Sequence, residues 1–327
     1  MKVIELFAGI GSQTQALKNI EVEHEVIGIS EIDKYAITSY EAIHGRTHNF
    51  GDISKIEALP YCDLLTYSFP CTDISLSGTK KGIKEGTSSG LLIEVQRLLL
   101  KLKEDEKLPK YLLLENVKNL VGKNFKKDFD KWLNFLEGLG YSNFWQVLNA
   151  KDYGIPQNRE RVFVVSILKN TNYTFPIKKE LKLYLKDFLE EEVEDKYFIS
   201  EKMYCYLTDM TNRNGFVRGN RFKPINIDKH KTAFTITTRA GSRPTDNFVY
   251  KDIKDYKIRK LTPLECWRLM GFDDDSFYKA KNSLNEKFYK GRDKSNSQLY
   301  KQAGNSIVVQ VLEGIFRELF KKYKELK

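Results

Sequence analysis

Short apolar runs alternate with stretches of helical spacing through the first half of the chain. Val3-Ile4-Glu5-Leu6-Phe7 reads as a buried strand that runs into Ala8-Gly9-Ile10-Gly11-Ser12, and an amphipathic helix follows from about Gln13 to Asn19. A second strand, Glu25 to Ser30, ends in Glu31-Ile32-Asp33 and leads to a helix over Tyr35 to Ile43. A short strand is predicted near Thr47 to Phe50, ending in Gly51-Asp52-Ile53. Leu64-Leu65-Thr66-Tyr67 is the fourth strand, and it delivers Ser68-Phe69-Pro70-Cys71. The loop Thr72 to Gly90 has no clear period, which in a compact domain marks a functional lid or a disordered segment. Helical spacing resumes at Leu91, with Leu92, Val95, Leu98, Leu99 and Leu102 on one face. Tyr111 to Leu114 is a fifth strand ending in Glu115-Asn116-Val117. A helix from about Lys127 to Leu139, a strand near Trp145 to Leu148 and a strand over Val162 to Ile167 follow. The helix Val308 to Phe320, apolar at 308, 311, 312, 315, 316 and 319, closes the chain. This alternation predicts an α/β fold, a doubly wound, mostly parallel sheet.

Composition narrows the class. With 327 residues, 41% hydrophobic and 30% charged, the chain is long enough for one large or two ordinary domains. No apolar run approaches the length of a membrane span. Met1 leads straight into a strand, so neither a signal peptide nor a transit segment is expected, and the protein is expected in the cytoplasm. The four cysteines (Cys62, Cys71, Cys205 and Cys266) lie far apart with only four histidines, which speaks against a zinc site or a disulfide framework. The net charge of +10, with a pI near 9.1, suits a polyanionic partner, although lysine-rich surfaces are also simply well solvated.

The candidate chemistry sits at predicted strand ends. Gly9 and Gly11 allow a close approach to a ligand at a helix N-terminus, but such a turn alone fits a tight connection equally well. Glu31 follows the glycines by about twenty positions, where a carboxylate binds ribose hydroxyls. Asp52, at the next strand end, suits an adenine amino group. These features fit any adenosine cofactor. Cys71 follows proline at a strand terminus, where a side chain is presented rather than packed, so it reads as a nucleophile; a buried core cysteine is the plainer alternative. Glu115 reads either as a helix cap or as an acid near the thiol. Arg159 and Arg161, two apart and leading into a strand, point the same way if extended, unless they merely pair with Glu160.

Taken together, the blocks Glu5 to Gly11, Gly51-Asp52-Ile53, Phe69-Pro70-Cys71, Glu115-Asn116-Val117, Tyr153 to Arg161, Arg259 to Phe272 and Gln302-Ala303-Gly304-Asn305-Ser306 resemble the bacterial-type cytosine-5 DNA methyltransferase family, in family order. The resemblance covers the chain except about Thr171 to Lys257, the family's variable target-recognition region. It implies the S-adenosylmethionine-dependent methyltransferase fold and methyl transfer to carbon 5 of a flipped-out cytosine, through a covalent adduct at Cys71. Glu115 would contact ring nitrogen 3 and the exocyclic amine. Arg159 would hold the carbonyl at carbon 2, with Arg161 as a supporting contact. S-adenosylmethionine, leaving as S-adenosylhomocysteine, would lie against Phe7, Gly9, Ile10, Gly11, Glu31, Ile32, Asp52, Ile53, Pro70, Asn305 and Ser306, and no metal is implied. The loop Thr72 to Gly90 would close over the base, bringing Ser75 and Ser77 to the DNA. Ser68, Thr72 and Ser89 depart from the family's usual glycine, glutamine and arginine; the last removes one possible phosphate contact.

Beyond Leu168 the composition shifts. Asp187 to Val193 is an acidic connector. Two clusters, Asn212 to Arg221 and Thr235 to Arg243, are rich in arginine and asparagine, which suit base edges as well as phosphates. Arg213, Arg218, Asn220, Arg221, Thr237, Arg239 and Arg243 are the expected DNA contacts. The expected division is residues 1–168 plus 301–327 as the catalytic and cofactor-binding domain, and 169–300 as a smaller, irregular target-recognition domain with a hinge. The expected partner is double-stranded DNA, met by a monomer away from any membrane; a cognate restriction endonuclease acting separately and an orphan or phage-borne enzyme stay open as alternatives. The rival readings are an RNA (tRNA) cytosine-5 methyltransferase of the same family, a binding-only relative that sequesters DNA, and a nicotinamide oxidoreductase. The last explains neither Pro70-Cys71 nor Arg159.

Overall fold

Strand β1 (Lys2–Leu6) lies between β2 (Glu25–Ser30) and β3 (Leu64–Tyr67), parallel to both, and β4 (Tyr111–Val117) continues the parallel run beyond β3. The computed structural model describes residues 1–70, 90–169, 172–211, 219–251 and 257–321. Among them, β7 (Glu160–Leu168) runs antiparallel to β4, and β5 (Tyr141–Asn149) forms the edge, giving a six-stranded sheet in the order β2-β1-β3-β4-β7-β5. The inner strands β1, β3, β4 and β7 are buried along most of their length because helices cover both faces. Ile4, Leu6, Leu65, Tyr67, Leu112 and Leu114 join the buried stripes of α3 (Leu91–Glu104) and α4 (Lys126–Gly138) in one core. On the other face, Ile29 meets Tyr40 of α2 (Lys34–His44), while α1 (Ser12–Asn19) turns Thr14 toward β1. The apolar positions expected on the last helix, Val309–Leu319, are all buried, and Tyr111 of β4 meets Phe320 edge-on.

The chain divides into two compact units, Met1–Leu148 with Glu160–Ile177 and Val311–Lys327, and Asn149–Arg159 with Lys178–Gln310. The second combines turns and short strands with helices. Its strands Ile225–Asn226, Phe248–Tyr250 and Arg259–Lys260 form one small sheet, and β6 (Gln157–Asn158) pairs with Ala233–Phe234 in another. Helices Pro263–Arg268, Asp274–Tyr289 and Asn296–Asn305 contribute an apolar cluster around Trp267. Trp267 packs against Phe272 and Phe277 and donates its indole N–H to the Leu299 carbonyl. Arg259 makes a two-pronged pair with fully buried Glu265, both contacts at 2.8 Å, and Glu265 also completes the capping box with Thr262. Glu190, within the acidic connector, accepts from the Thr262 hydroxyl.

The strand expected at Thr47 to Phe50 is reduced to a single parallel bridge between Ile29 and Asn49. Gly51, at φ +75°, turns the chain away before a ladder can form. Glu115, Asn116 and Val117 belong inside β4 rather than beyond its end, because β7 pairs them with Phe163, Val162 and Arg161.

Glu5 is fully buried in β1 and accepts from the Thr14 hydroxyl at 2.8 Å, and that hydroxyl lies 3.0 Å from Tyr40 Oη. Burial pushes its carboxyl up to about 7, against the opposing hydrogen bonds from Thr14 and the charge of Lys18. The native state therefore keeps a proton that the unfolded chain releases. That contribution is complete below the ordinary carboxyl range and is lost as pH rises through 7. Replacing Glu5 with Gln should remove this loss, so relative to the wild type the variant gains about 2–3 kcal/mol between pH 5 and pH 8. Urea midpoints of both proteins at the two pH values measure it, and parallel pH profiles would refute it.

Candidate active site

The segments that follow the parallel strands carry most of the expected cofactor-binding residues. Phe7 leaves β1 with φ +58°, Gly9 follows at φ +57°, and Gly11 at φ +79° caps α1. Gly11 is required twice over, since a Cβ there would also lie 2.5 Å from the His44 ring and 2.7 Å from that of Tyr40. Around Gly9, by contrast, a Cβ would meet nothing within 4 Å, so the turn faces open space. His44 donates from Nε2 to the Ile10 carbonyl at 3.0 Å, which leaves Nδ1 to accept from Lys18 at 3.3 Å. Burial lowers its pKa to about 3, so this neutral tautomer braces the glycine turn across the working pH range.

Glu31 is fixed by three main-chain N–H groups. Gly9 donates to Oε2 at 2.9 Å, and Ile32 and Asp33 donate to Oε1, each at 2.8 Å. Ile32 is 73% exposed, an apolar side chain left outside the core. Asp52 caps a 3-10 turn, accepting from the Ser54 N–H at 3.0 Å and from its hydroxyl at 2.8 Å; these bonds hold its carboxyl below the usual range. Ile53 is buried in the main core. An open space at a glycine turn, a carboxylate held ready and an exposed apolar side chain are what an adenosine-bearing cofactor needs, so these residues fit the group.

Beyond β3 the chain is held by Asn116, whose Nδ2 donates to the Phe69 carbonyl at 3.0 Å while its Oδ1 accepts from the Val117 N–H. Phe69 is buried and Pro70 half-buried. Cys71, Ser75, Ser77, Arg213 and Arg218 lie outside the described residues. Glu115 and Arg161 do come together. The β4–β7 register sets Arg161 opposite Val117, which leaves it diagonal to Glu115 on the same face, with Nε 3.2 Å from Oε1. Both side chains are largely shielded from solvent.

Arg159 has different partners. It is 4% exposed and belongs to the second unit, where Nη1 donates to the Ile236 carbonyl at 2.9 Å and Nη2 to those of Gly304 and Ser306 at 3.0 and 2.8 Å. Ser306 is buried and Asn305 exposed, at the end of helix Asn296–Asn305 in the same unit. Arg239 and Arg243 are exposed on a turn that Asp246 organises: its carboxylate accepts from the Thr237 hydroxyl at 3.1 Å and from the Ser242 and Arg243 N–H groups at 2.9 and 2.8 Å. Gly304 lies so close to this turn that a Cβ would be 2.3 Å from the Thr238 nitrogen. Asn220 and Arg221 are exposed in a separate 3-10 turn. The sequence reading missed Asp246, His44 and Glu5. Of these only Asp246 left a signal, an acid closing a Gly-Ser-Arg-Pro-Thr turn.

A glycine turn and two acidic loop ends on a sheet whose parallel strands meet the reversed β7 make an α/β fold that suits an adenosine-bearing cofactor. The fold is shared with the Dnmt2 methyltransferase of S. pombe, with a TM-score of 0.74 at 20% identity over 99% of both chains. The chain belongs to the C-5 cytosine-specific DNA methylase family, whose profile matches residues 1–321, and it is a DNA cytosine-5 methyltransferase. It is 37% identical to the type II methyltransferase M2.ScrFI of Lactococcus lactis subsp. cremoris, over 98% of this chain and 99% of the relative. It is 30% identical to the orphan methyltransferase M.SPBetaI of Bacillus phage SPbeta, over 99% and 98%. Methyltransferases of this family draw the methyl group from S-adenosylmethionine.

The geometry makes Arg159 a structural clamp. Arg159→Ala leaves three buried carbonyls without their charged donor and should cost about 3–5 kcal/mol in urea unfolding. Arg159→Lys should recover little of it, because a point charge cannot serve a forked set of acceptors. Midpoints matching the wild type would overturn the assignment.

Proposed function

We propose that the protein methylates carbon 5 of a cytosine flipped out of duplex DNA, with Cys71 as the attacking thiolate. The observation that carries the reading is the Glu115–Arg161 pair, 3.2 Å apart, on strands beside the Phe69-Pro70 segment that precedes Cys71. Cytosine is a poor nucleophile at carbon 5. A bond from the Cys71 sulfur to carbon 6 moves an electron pair toward carbon 5 and ring nitrogen 3, and Glu115 donates a hydrogen bond or proton at that nitrogen. Arg161 is the better candidate for the carbonyl at carbon 2, because it already stands beside Glu115 while Arg159 is spent on main-chain carbonyls. S-adenosylmethionine supplies an electrophilic methyl group when bound. After methylation a base removes the proton from carbon 5, the carbon 6–sulfur bond breaks, and Cys71 leaves as thiolate.

Glu31 would take the ribose hydroxyls, Ile32 the adenine face and Asp52 the adenine amine, while Phe7, Gly9, Ile10 and Gly11 would line the methionine end. Pro70, Ile53, Asn305 and Ser306 complete the proposed cofactor set. Flipping costs a few kcal/mol, which contacts from the loop carrying Ser75 and Ser77 would offset. The first unit would then be catalytic and the second the recognition unit, with Arg239, Arg243, Asn220, Arg221, Arg213, Arg218 and Thr237 toward DNA. The net charge of +10 supports a polyanionic partner. The enzyme would act as a monomer in the cytoplasm, and its type II relative supports a restriction endonuclease acting separately at the same site.

Bisulfite sequencing of DNA from cells expressing the protein should show protected cytosines at one short sequence. Cys71→Ser should abolish protection while cofactor and DNA binding persist. Methylation retained in that variant would sink the covalent mechanism, and methyl transfer into tRNA but not duplex DNA would sink the assignment of substrate.

A further inference from the structure

Where the sequence predicts a strand, a single side chain does the work of one. Beside β2, the Ile29 N–H donates to the His48 carbonyl and the Phe50 N–H to the Ile29 carbonyl, both at 2.8 Å. Two residues further, at Glu31, no backbone among the described residues continues the pairing and the Asn49 amide takes its place. Its Oδ1 accepts from the Glu31 N–H at 3.1 Å, and its Nδ2 donates to the Glu31 carbonyl at 2.9 Å. The same Oδ1 accepts from the Gly51 N–H at 2.9 Å, and the Ser30 hydroxyl donates to the Gly51 carbonyl at 2.7 Å.

One amide therefore ties the backbone of Glu31 to the residue preceding Asp52. We infer that Asn49 is a positioning residue for cofactor binding, setting the separation of the Glu31 and Asp52 carboxylates without being proposed to touch the cofactor itself. The inference rests on the reading of those two acids as the ribose and adenine ligands. Only an amide of this length serves. Aspartate offers both N–H groups an acceptor but sets a negative oxygen against the Glu31 carbonyl, and alanine leaves all three main-chain groups to water. The strap is also seated closely, since a Cβ on Gly28 would fall 2.3 Å from the Phe50 ring.

The test is calorimetric binding of S-adenosylhomocysteine to the full-length protein. Variants are Asn49→Ala, Asn49→Asp, Glu31→Ala, Asp52→Ala and the triple Asn49→Ala/Glu31→Ala/Asp52→Ala, set against the double Glu31→Ala/Asp52→Ala. Asn49→Ala should weaken binding about 10-fold, the loss expected for a few imperfectly replaced hydrogen bonds. In the double background the same change should have less than about a 2-fold effect, because its consequence passes through the two acids. Duplex DNA affinity should stay within about 2-fold. Wild-type affinity in Asn49→Ala, with both acid variants impaired, would overturn the inference alone. An equal loss in both backgrounds would show general destabilisation and overturn it too. Wild-type affinity in both acid variants would overturn the underlying reading. If Asn49→Ala does not fold, Asn49→Asp keeps the shape and both N–H acceptors, and unchanged affinity in that variant overturns the inference.

Discussion

Strand direction is the constraint on which the site depends. Parallel strands finish at one edge of a sheet, so the turn after β1, the acids after β2 and Asn49, and the chain after β3 all emerge together. The reversed strand obeys the same rule from the other side. Because β7 runs antiparallel to β4, its beginning rather than its end lies at that edge. This is why Arg161 precedes its apolar run while Gly9 and Glu31 follow theirs. β3 stops at Tyr67, paired with Leu114, whereas β4 continues through Glu115 to Val117 beside β7 alone. That register sets Arg161 at hydrogen-bonding distance from Glu115.

Leaving a ladder exposes main-chain polar groups, and the protein satisfies them with amide side chains. Asn116 supports the Phe69 carbonyl where β3 departs. Asn49 completes the pairing of Glu31. Asn247 does the same for both polar groups of Phe234, and Gln157 serves the Leu269 carbonyl and the Ile236 N–H. An amide presents a donor and an acceptor at a strand's spacing but needs no neighbouring strand, so the adjacent space stays available to a ligand. The cost is specificity of residue type, since neither aspartate nor leucine reproduces both bonds.

The layout of the sheet was legible because its inner strands are buried along most of their length and read as apolar runs; Glu25 to Ser30 emerged with the expected bounds. Glycine and acid at strand ends were legible for the same reason, as each follows an unmistakable run. The Thr47 to Phe50 strand misled because an apolar residue beside glycine looks the same whether backbone or an asparagine amide makes the pairing. Glu115 was expected beyond its strand because local pattern cannot register a partner arriving from more than forty residues away. The second unit was least legible. Its strands are two or three residues long and its order rests on individual side chains such as Asp246 and Glu265, which leave no periodicity.

Arg159 and Arg161 show how far local reasoning reaches. Two residues apart in extended chain, they should project alike, yet extended geometry applies to the pair only if both belong to one strand. β7 begins at Glu160, so Arg161 obeys the alternation of that ladder and Arg159 does not. Arg159 instead spends its fork on carbonyls at 236, 304 and 306, drawing together the turn that carries Thr237 and the end of the helix that carries Asn305. A guanidinium whose two terminal nitrogens are held by three main-chain carbonyls is fixed in place, whereas one beside a carboxylate can exchange part of that contact for a new acceptor at little cost. The division of labour between two identical side chains thus follows from where a strand starts.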